Sequence, residues 1–260
     1  MSTTEQTLRA NHDTGGSLIG YFPLGYPTLE DSIEAAVAMC ESGVDVLELG
    51  IPYSDPVMDG IVIQQATETA LSNGFKLKDA FGAIRSVASR VSAPVLVMTY
   101  WNPVMQYGEE KFARELAALG AAGAITPDLI PDEAATWIAA TDALGLDRVF
   151  LATPTSSDVR TERACASSKG FVYAVSTMGI TGARDDLDQN AKKVVAQIRA
   201  QSATSMTAVG IGVSTAAQVK QINKYADGAI VGSAFVRAYQ DGGIEALRAK
   251  VSELAKGKNK

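Results

Sequence analysis

The chain has 260 residues, 47% of them hydrophobic, with 23 Lys plus Arg against 29 Asp plus Glu and a formal charge of −6. That balance argues against a nucleic-acid binder, which would carry a basic face. The single histidine, His12, removes histidine triads and multi-histidine metal sites, and two cysteines, Cys40 and Cys165, form no disulfide framework and fit a reducing compartment.

In chain order, residues 1–16 are polar and lack the apolar core of a signal peptide. With 256–260 they are expected to be flexible tails. Eight short apolar runs then predict strands, at 18–22, 44–51, 94–100, 123–126, 148–152, 170–176, 206–211 and 228–232. Most are continuous rather than alternating, the pattern of strands buried on both faces of a parallel sheet. Helical spacing fills the gaps, at 29–42, 109–119, 130–144, 156–166, 190–199, 215–225 and 243–254, with two helices in 60–90 broken near Asn73-Gly74. The longest apolar stretch, 93–101, is far short of the roughly 20 residues of a membrane span, so a cytoplasmic protein without membrane contact is expected. Strand and helix alternate about eight times without a linker, which predicts an α/β fold, a (β/α)8 TIM barrel over 1–260 as one domain. An open doubly wound sheet is the alternative. In a barrel the chemistry sits just after each strand.

The second strand carries Glu48 inside an apolar run. A buried carboxylate either pairs with a cation across the barrel or keeps a raised pKa and exchanges protons near neutrality; the pattern alone leaves both open. The loop after it holds Asp55 and Asp59 among prolines and glycine. If Asp55 serves the turn, Asp59 is a second carboxylate beside Glu48, the arrangement by which one site holds an acid and a base. Tyr173, on the sixth strand, reaches this pair if it points inward. Tyr100 and Trp101 end the third strand, and read from the residues they cap the barrel top. Glycine and hydroxyl residues dominate the loops after strands six, seven and eight, at 176–182, 210–214 and 232–234. Such turns offer backbone N–H groups to an anion, and barrels commonly bind phosphate after strands seven and eight. No Walker or Rossmann glycine pattern stands in the right context, so a phosphorylated metabolite is expected rather than a nucleoside triphosphate or NAD. Cys40 reads as core, and Cys165 has no histidine to activate it.

Over nearly the whole length the chain resembles the α subunits of tryptophan synthase. The resemblance rests on Leu-Gly-Tyr-Pro at 24–27, Glu-Leu-Gly-Ile-Pro-Tyr-Ser-Asp-Pro-Val-Met-Asp-Gly at 48–60, Tyr-Trp-Asn-Pro at 100–103, Pro-Asp-Leu-Ile-Pro at 127–131, Tyr173 with Gly-Ile-Thr-Gly at 179–182, and the segments 210–214 and 228–234. It implies retro-aldol cleavage of indole-3-glycerol phosphate to indole and glyceraldehyde 3-phosphate without metal or organic cofactor. It further implies Glu48 as the acid–base residue, Asp59 as the partner of the indole nitrogen, and Tyr173 as an assisting group. Tyr21, Met98, Asp128 and Thr181 fall at or near positions lining the indole pocket, and Tyr100 is grouped with them. Gly182, Gly212, Gly232 and Ser233 would cradle the phosphate. The implied partner is a pyridoxal-phosphate β subunit in an α2β2 complex, receiving indole through a tunnel, with residues 53–60 and 102–105 facing it and 177–190 acting as a lid. The chain departs from many relatives at Tyr21, Val57-Met58, Leu129 and Thr177. A stand-alone lyase, another phosphate-binding barrel enzyme and a non-catalytic subunit that activates its partner are the rival readings.

Overall fold

The structure is a computed structural model and describes residues 3–176 and 184–258. Among these, nine strands form one sheet whose ladders are all parallel: β1 (Ser17–Pro23), β2 (Val46–Gly50), β3 (Val95–Met98), β4 (Gly123–Ile125), β5 (Asp147–Val149), β6 (Leu151–Ala152), β7 (Val172–Val175), β8 (Thr207–Gly210) and β9 (Gly228–Val231). The order is β5-β4-β3-β2-β1-β9-β8-β7-β6. Its two ends are adjacent pieces of one run of chain, so the sheet closes on itself as the TIM barrel the alternation predicts.

That run was expected as a single strand at 148–152 and is divided at Phe150. The Phe150 amide donates to the Ser168 hydroxyl at 3.2 Å, while its carbonyl accepts from Tyr173 at 3.0 Å. β5 therefore pairs with β4 and β6 with β7. Local sequence cannot show a hydroxyl 18 residues away taking a backbone donor.

Along each strand, side chains alternate between two cores. Leu18 and Phe22 of β1, Leu47 and Leu49 of β2, and Val95 and Val97 of β3 pack outward against the helices. Ile19, Val46 and Leu96 point inward with Ile125, Val149, Phe171, Met206 and Ile230 and fill the barrel. This alternation turns Glu48, two residues after Val46, to the inside. Both faces are apolar, which explains the continuous runs in the sequence.

The helices are α1 (Thr3–His12), α2 (Leu29–Glu41), α3 (Ile61–Ser72), α4 (Leu77–Ala88), α5 (Trp101–Tyr107), α6 (Glu109–Ala118), α7 (Ala135–Leu144), α8 (Asp158–Ser167), α9 (Arg184–Gln201), α10 (Ala216–Ile222) and α11 (Ser233–Ala255), the last bent at Gly242 and Gly243. α2 opens on Thr28, whose hydroxyl accepts the Asp31 amide, and α10 on a reciprocal capping box of Thr215 and Gln218. α9 starts six residues before the predicted 190, so the expected lid at 177–190 is helical from Arg184 onward, and 177–183 lies outside the described residues. α5 was not foreseen.

Of the expected tails, residues 1–2 and 259–260 lie outside the described residues, and the described parts pack on the barrel. α1 lies across the amino-terminal base of the barrel, with Leu8 wholly buried in the inner core. It is tied there by Arg9 on the Thr204 carbonyl at 2.6 Å and by His12 Nδ1 on Asp227 at 2.7 Å. At the other end Lys256–Lys258 forms a 3-10 turn, and the Lys258 ammonium reaches the Gly43 carbonyl and Asp45. A helix holding one leucine among polar residues gives no periodic signal; its order comes from contacts some 200 residues away. No helix among the described residues is long and apolar enough to cross a membrane.

Candidate active site

A cavity of about 450 Å³ opens at the carboxyl ends of the strands. Tyr21, Glu48, Asp59, Met98 and Tyr173 line its depth, and Gly212, Gly232 and Ser233 line its other side. Eight of the twelve residues expected to form the site therefore meet in one space. Thr181 and Gly182 lie outside the described residues, as does Thr177.

The remaining two, Tyr100 and Asp128, are not among the residues lining this cavity. Asp128 accepts the Trp101 amide at 2.9 and 3.1 Å and so holds the first turn of α5. Its carboxyl is pushed upward by burial. Tyr100 is buried behind the loop that carries Asp59. Its hydroxyl accepts the Met58 amide at 2.9 Å. Its ring stacks on Tyr53 at 5.3 Å and 29°.

Glu48 is 2% exposed, and its Oε1 has no hydrogen-bond partner. Burial pushes its pKa up to about 8. Of the two readings the sequence left open, this geometry favours a proton-exchanging carboxyl over an ion pair. Asp59 is 9% exposed. Burial raises it to about 6. The loop that positions Asp59 is fixed at both ends: its amide donates to the Pro56 carbonyl at 3.1 Å, and its carbonyl accepts the Gln64 side chain of α3 at 2.8 Å. Two carboxyl groups thus share one cavity at different pKa values, and the more deeply buried one is the weaker acid.

Two tyrosines frame the pair in the same way. Tyr21 is paired across the sheet with Glu48, and Tyr173 with Ala208. Each ring leans diagonally over a glycine two residues further along the neighbouring strand. A Cβ on Gly50 would fall 2.1 Å from the Tyr21 hydroxyl, and one on Gly210 would fall 2.4 Å from that of Tyr173. Sequence reasoning read Gly210 only as part of the 210–214 anion-binding turn and Gly50 only as part of the 48–60 block, and gave neither as the seat of a tyrosine. The available signal was an inward-phase glycine closing an otherwise apolar strand, next to a strand with an inward tyrosine. Burial raises the pKa of both phenols, with the Glu48 and Asp59 charges adding to it, so they stay protonated.

Gly212 has φ +72°, a left-handed conformation that favours glycine, and Gly232 with Ser233 opens α11. The first amides of a helix have no partner within it. No lysine or arginine lines the cavity among the described residues. An anion here would be held by backbone N–H groups, the helix dipole and hydroxyls such as Ser176 and Ser233. No cluster of three or more His, Cys, Asp or Glu side chains suited to a metal ion occurs among the described residues.

Comparison with known proteins agrees with this geometry. The family model described as tryptophan synthase alpha chain matches residues 8–259. The tryptophan synthase alpha chain of Leifsonia xyli subsp. xyli is 58% identical over 258 residues, covering 99% of this chain and 98% of its own. That of Mycobacterium ulcerans is 52% identical over 241 residues, covering 93% and 88%. Among solved structures, a chain of Mycobacterium tuberculosis tryptophan synthase superposes with a TM-score of 0.92 at 47% identity, covering 99% and 97%. A chain of the Pyrococcus furiosus tryptophan synthase complex does so at 0.83 and 34% identity, covering 93% and 98%. On this sequence similarity, fold and constellation, the chain belongs to the tryptophan synthase alpha chain family.

Proposed function

We propose that the cavity at the mouth of this barrel cleaves indole-3-glycerol phosphate, with Glu48 and Asp59 as its catalytic pair. The chain is a lyase of tryptophan biosynthesis, acting as the alpha subunit; the proposal concerns which residues perform the reaction and how. The observation that carries it is Glu48, a buried carboxyl with an unpartnered oxygen facing a cavity that also holds a second carboxyl.

The chemistry follows from those two environments. The carbon–carbon bond can break only after indole C3 is protonated, and the departing aldehyde must lose its hydroxyl proton. Glu48, protonated near neutrality, gives the first proton and, once ionised, takes the second. Protonation at C3 puts positive charge on the ring nitrogen, which the ionised Asp59 stabilises. Tyr173 touches the same space as a neutral phenol. Tyr21 and Met98 supply walls for the indole. Gly212, Gly232 and Ser233 hold the phosphate, with Gly182 assigned beside them and Thr181 assigned to the indole pocket by resemblance. The reaction asks for no metal or organic cofactor of this chain.

We further propose an α2β2 complex with a pyridoxal-phosphate β subunit that receives the indole through a tunnel. The rim beside the cavity supports a partner there: Val57, Ile61 and Met105 are large apolar side chains left exposed, Val57 by 76%. The chain works as one domain in the cytoplasm. The test is indole release from indole-3-glycerol phosphate by the full chain, alone and with a β subunit. Turnover that rises with the partner supports the reading; a chain with no turnover in either condition overturns it.

A further inference from the structure

We infer that Gln218 is a positioning residue for the phosphate end of the substrate: its neutral side chain clamps the turn that bears Gly212 and does so without setting a charge beside the anion. The inference rests on the assignment of the phosphate to Gly212, Gly232 and Ser233 made above. Gln218 is absent from the cavity wall and sits in the first turn of α10. Its side-chain oxygen accepts the Ser214 amide at 2.8 Å, the Thr215 amide at 3.2 Å and the Ser214 hydroxyl at 3.4 Å. Its backbone N–H returns a bond to the Thr215 hydroxyl at 3.3 Å. One side chain thus ties the far end of the turn to α10. The near end is held in the sheet, where Gly210 pairs with Val175. Between them stand Ile211, Gly212 and Val213. Val213 is buried in the outer core, while Gly212, at φ +72°, lines the cavity. The start of α10 is also backed from behind: Gly257 packs so closely on it that a Cβ there would collide with the Ala216 carbonyl oxygen.

Two helices begin beside the cavity, and they are built differently. β8 and β9 are neighbours in the sheet, so the turns that lead from them into α10 and α11 are neighbours too. α11 starts on Gly232, and no side chain caps it among the described residues. α10 starts on Thr215 and has its leading amides taken by Gln218. An anion is therefore directed to α11 and to the turn, and away from α10. A capping box works with Glu as well as with Gln, and a negative charge in the first turn suits the helix dipole. Stability alone would favour Glu at position 218. No lysine or arginine lines the cavity among the described residues, however, so a carboxylate there would face the phosphate without a cation between them. Ser214 is two residues from Gly212, a span of at most roughly 7 Å, which is inside the screening length of about 8 Å at physiological salt. A neutral cap fixes the turn and leaves the field at the phosphate unopposed.

Gln218→Glu tests this, because it keeps an acceptor for both amides and changes only the charge. The full-length variant should melt at or above the wild-type temperature. Its KM for indole-3-glycerol phosphate should rise roughly three- to thirtyfold while kcat stays within about twofold. The rise in KM should shrink as salt is added. Gln218→Ala removes the clamp and leaves the charge as it was. It should raise KM by roughly three- to tenfold, with no such dependence on salt, and it carries the test if Gln218→Glu does not fold. A cap that is merely structural predicts something else, since Glu caps as well as Gln. Wild-type KM in Gln218→Glu overturns the inference, and so does a Gln218→Ala that melts lower at unchanged KM. A loss confined to kcat in either variant overturns it equally, because Gln218 would then act on the chemistry and not on the phosphate. Ser233→Asp separates the two claims, since it sets a carboxylate in the cradle itself. Wild-type KM in that variant overturns the phosphate assignment and this inference with it. A raised KM there beside a wild-type-like Gln218→Glu overturns this inference alone.

Discussion

The two ends of the barrel bury the same chemical group and put it to opposite uses. At the base, Asp227 gives one oxygen to the Thr207 amide at 2.7 Å and hydroxyl at 3.0 Å, and the other to His12 at 2.7 Å. Asp45 accepts the Leu18 amide at 2.8 Å and the Lys258 ammonium at 2.9 Å. Each precedes a strand and ties it to an end of the chain. At the mouth, Glu48 has an oxygen without a partner, and burial raises the pKa of Asp59. A buried carboxylate whose lone pairs are taken is a joint. One whose burial is not offset by partners holds its proton into the neutral range and can trade it.

The strongest way to break that comparison is Glu48→Gln. Turnover should fall by at least about a thousandfold, the scale of lost general acid–base catalysis. The same change should stabilise the fold. Glu48 has a raised pKa when folded, about 8, so the unfolded chain gives up its proton first as pH rises. Stability is therefore lost between the ordinary glutamate range and about 8, and an uncharged amide escapes that loss. Urea unfolding of Glu48→Gln should show a gain of about 1–2 kcal/mol at pH 8 that vanishes toward pH 4. A variant both active and no more stable would place Glu48 among the joints. The wild type carries a related signature. With Asp59 ionised above about 6 and Glu48 protonated below about 8, kcat/KM should rise through the first value and fall through the second. A profile flat from 5 to 9 would deny the pair its roles.

Asp227→Ala probes the opposite end. It strips acceptors from a buried amide, a hydroxyl and His12 together, and should cost about 2–4 kcal/mol in denaturant unfolding. The kcat of the folded fraction should stay within about twofold of wild type, since the change lies at the far end of the strands. A large loss of kcat without loss of stability would show that the base, too, serves the chemistry.

The sequence exposed these two ends unequally. Glu48 was visible as a charge in an apolar strand, and the glycine loops stood where barrels hold phosphate, because both signals are local. Asp45 and Asp227 also precede apolar runs, yet nothing local tells a joint from a catalyst. The distinction lies in partners such as His12, 215 residues away. The link from Tyr100 to the loop that bears Asp59 is hidden for the same reason: it spans 42 residues. α1 escaped notice because its one buried leucine acquires a face only when the barrel base exists to receive it. The eight-fold alternation, by contrast, survived its errors at Phe150, since continuous apolar runs are demanded by burial on both faces whichever amide bonds which.

The mildest expected effect is at Lys258→Met, which keeps the apolar stem and deletes the ammonium that joins the Gly43 carbonyl to Asp45. Lys258 and Asp45 side chains are 21% and 19% exposed, so water can replace part of what is lost, and Asp45 keeps the Leu18 amide. The loss should be about 0.5–1.5 kcal/mol, below that of Asp227→Ala. It should shrink as salt is raised, since screening shortens to roughly 3 Å at 1 M. Activity should not change. A loss equal to that of Asp227→Ala and insensitive to salt would mean that partial exposure does not weaken a base joint. The rule drawn from the two ends would then depend on the number of partners alone, not on how far water can stand in for them.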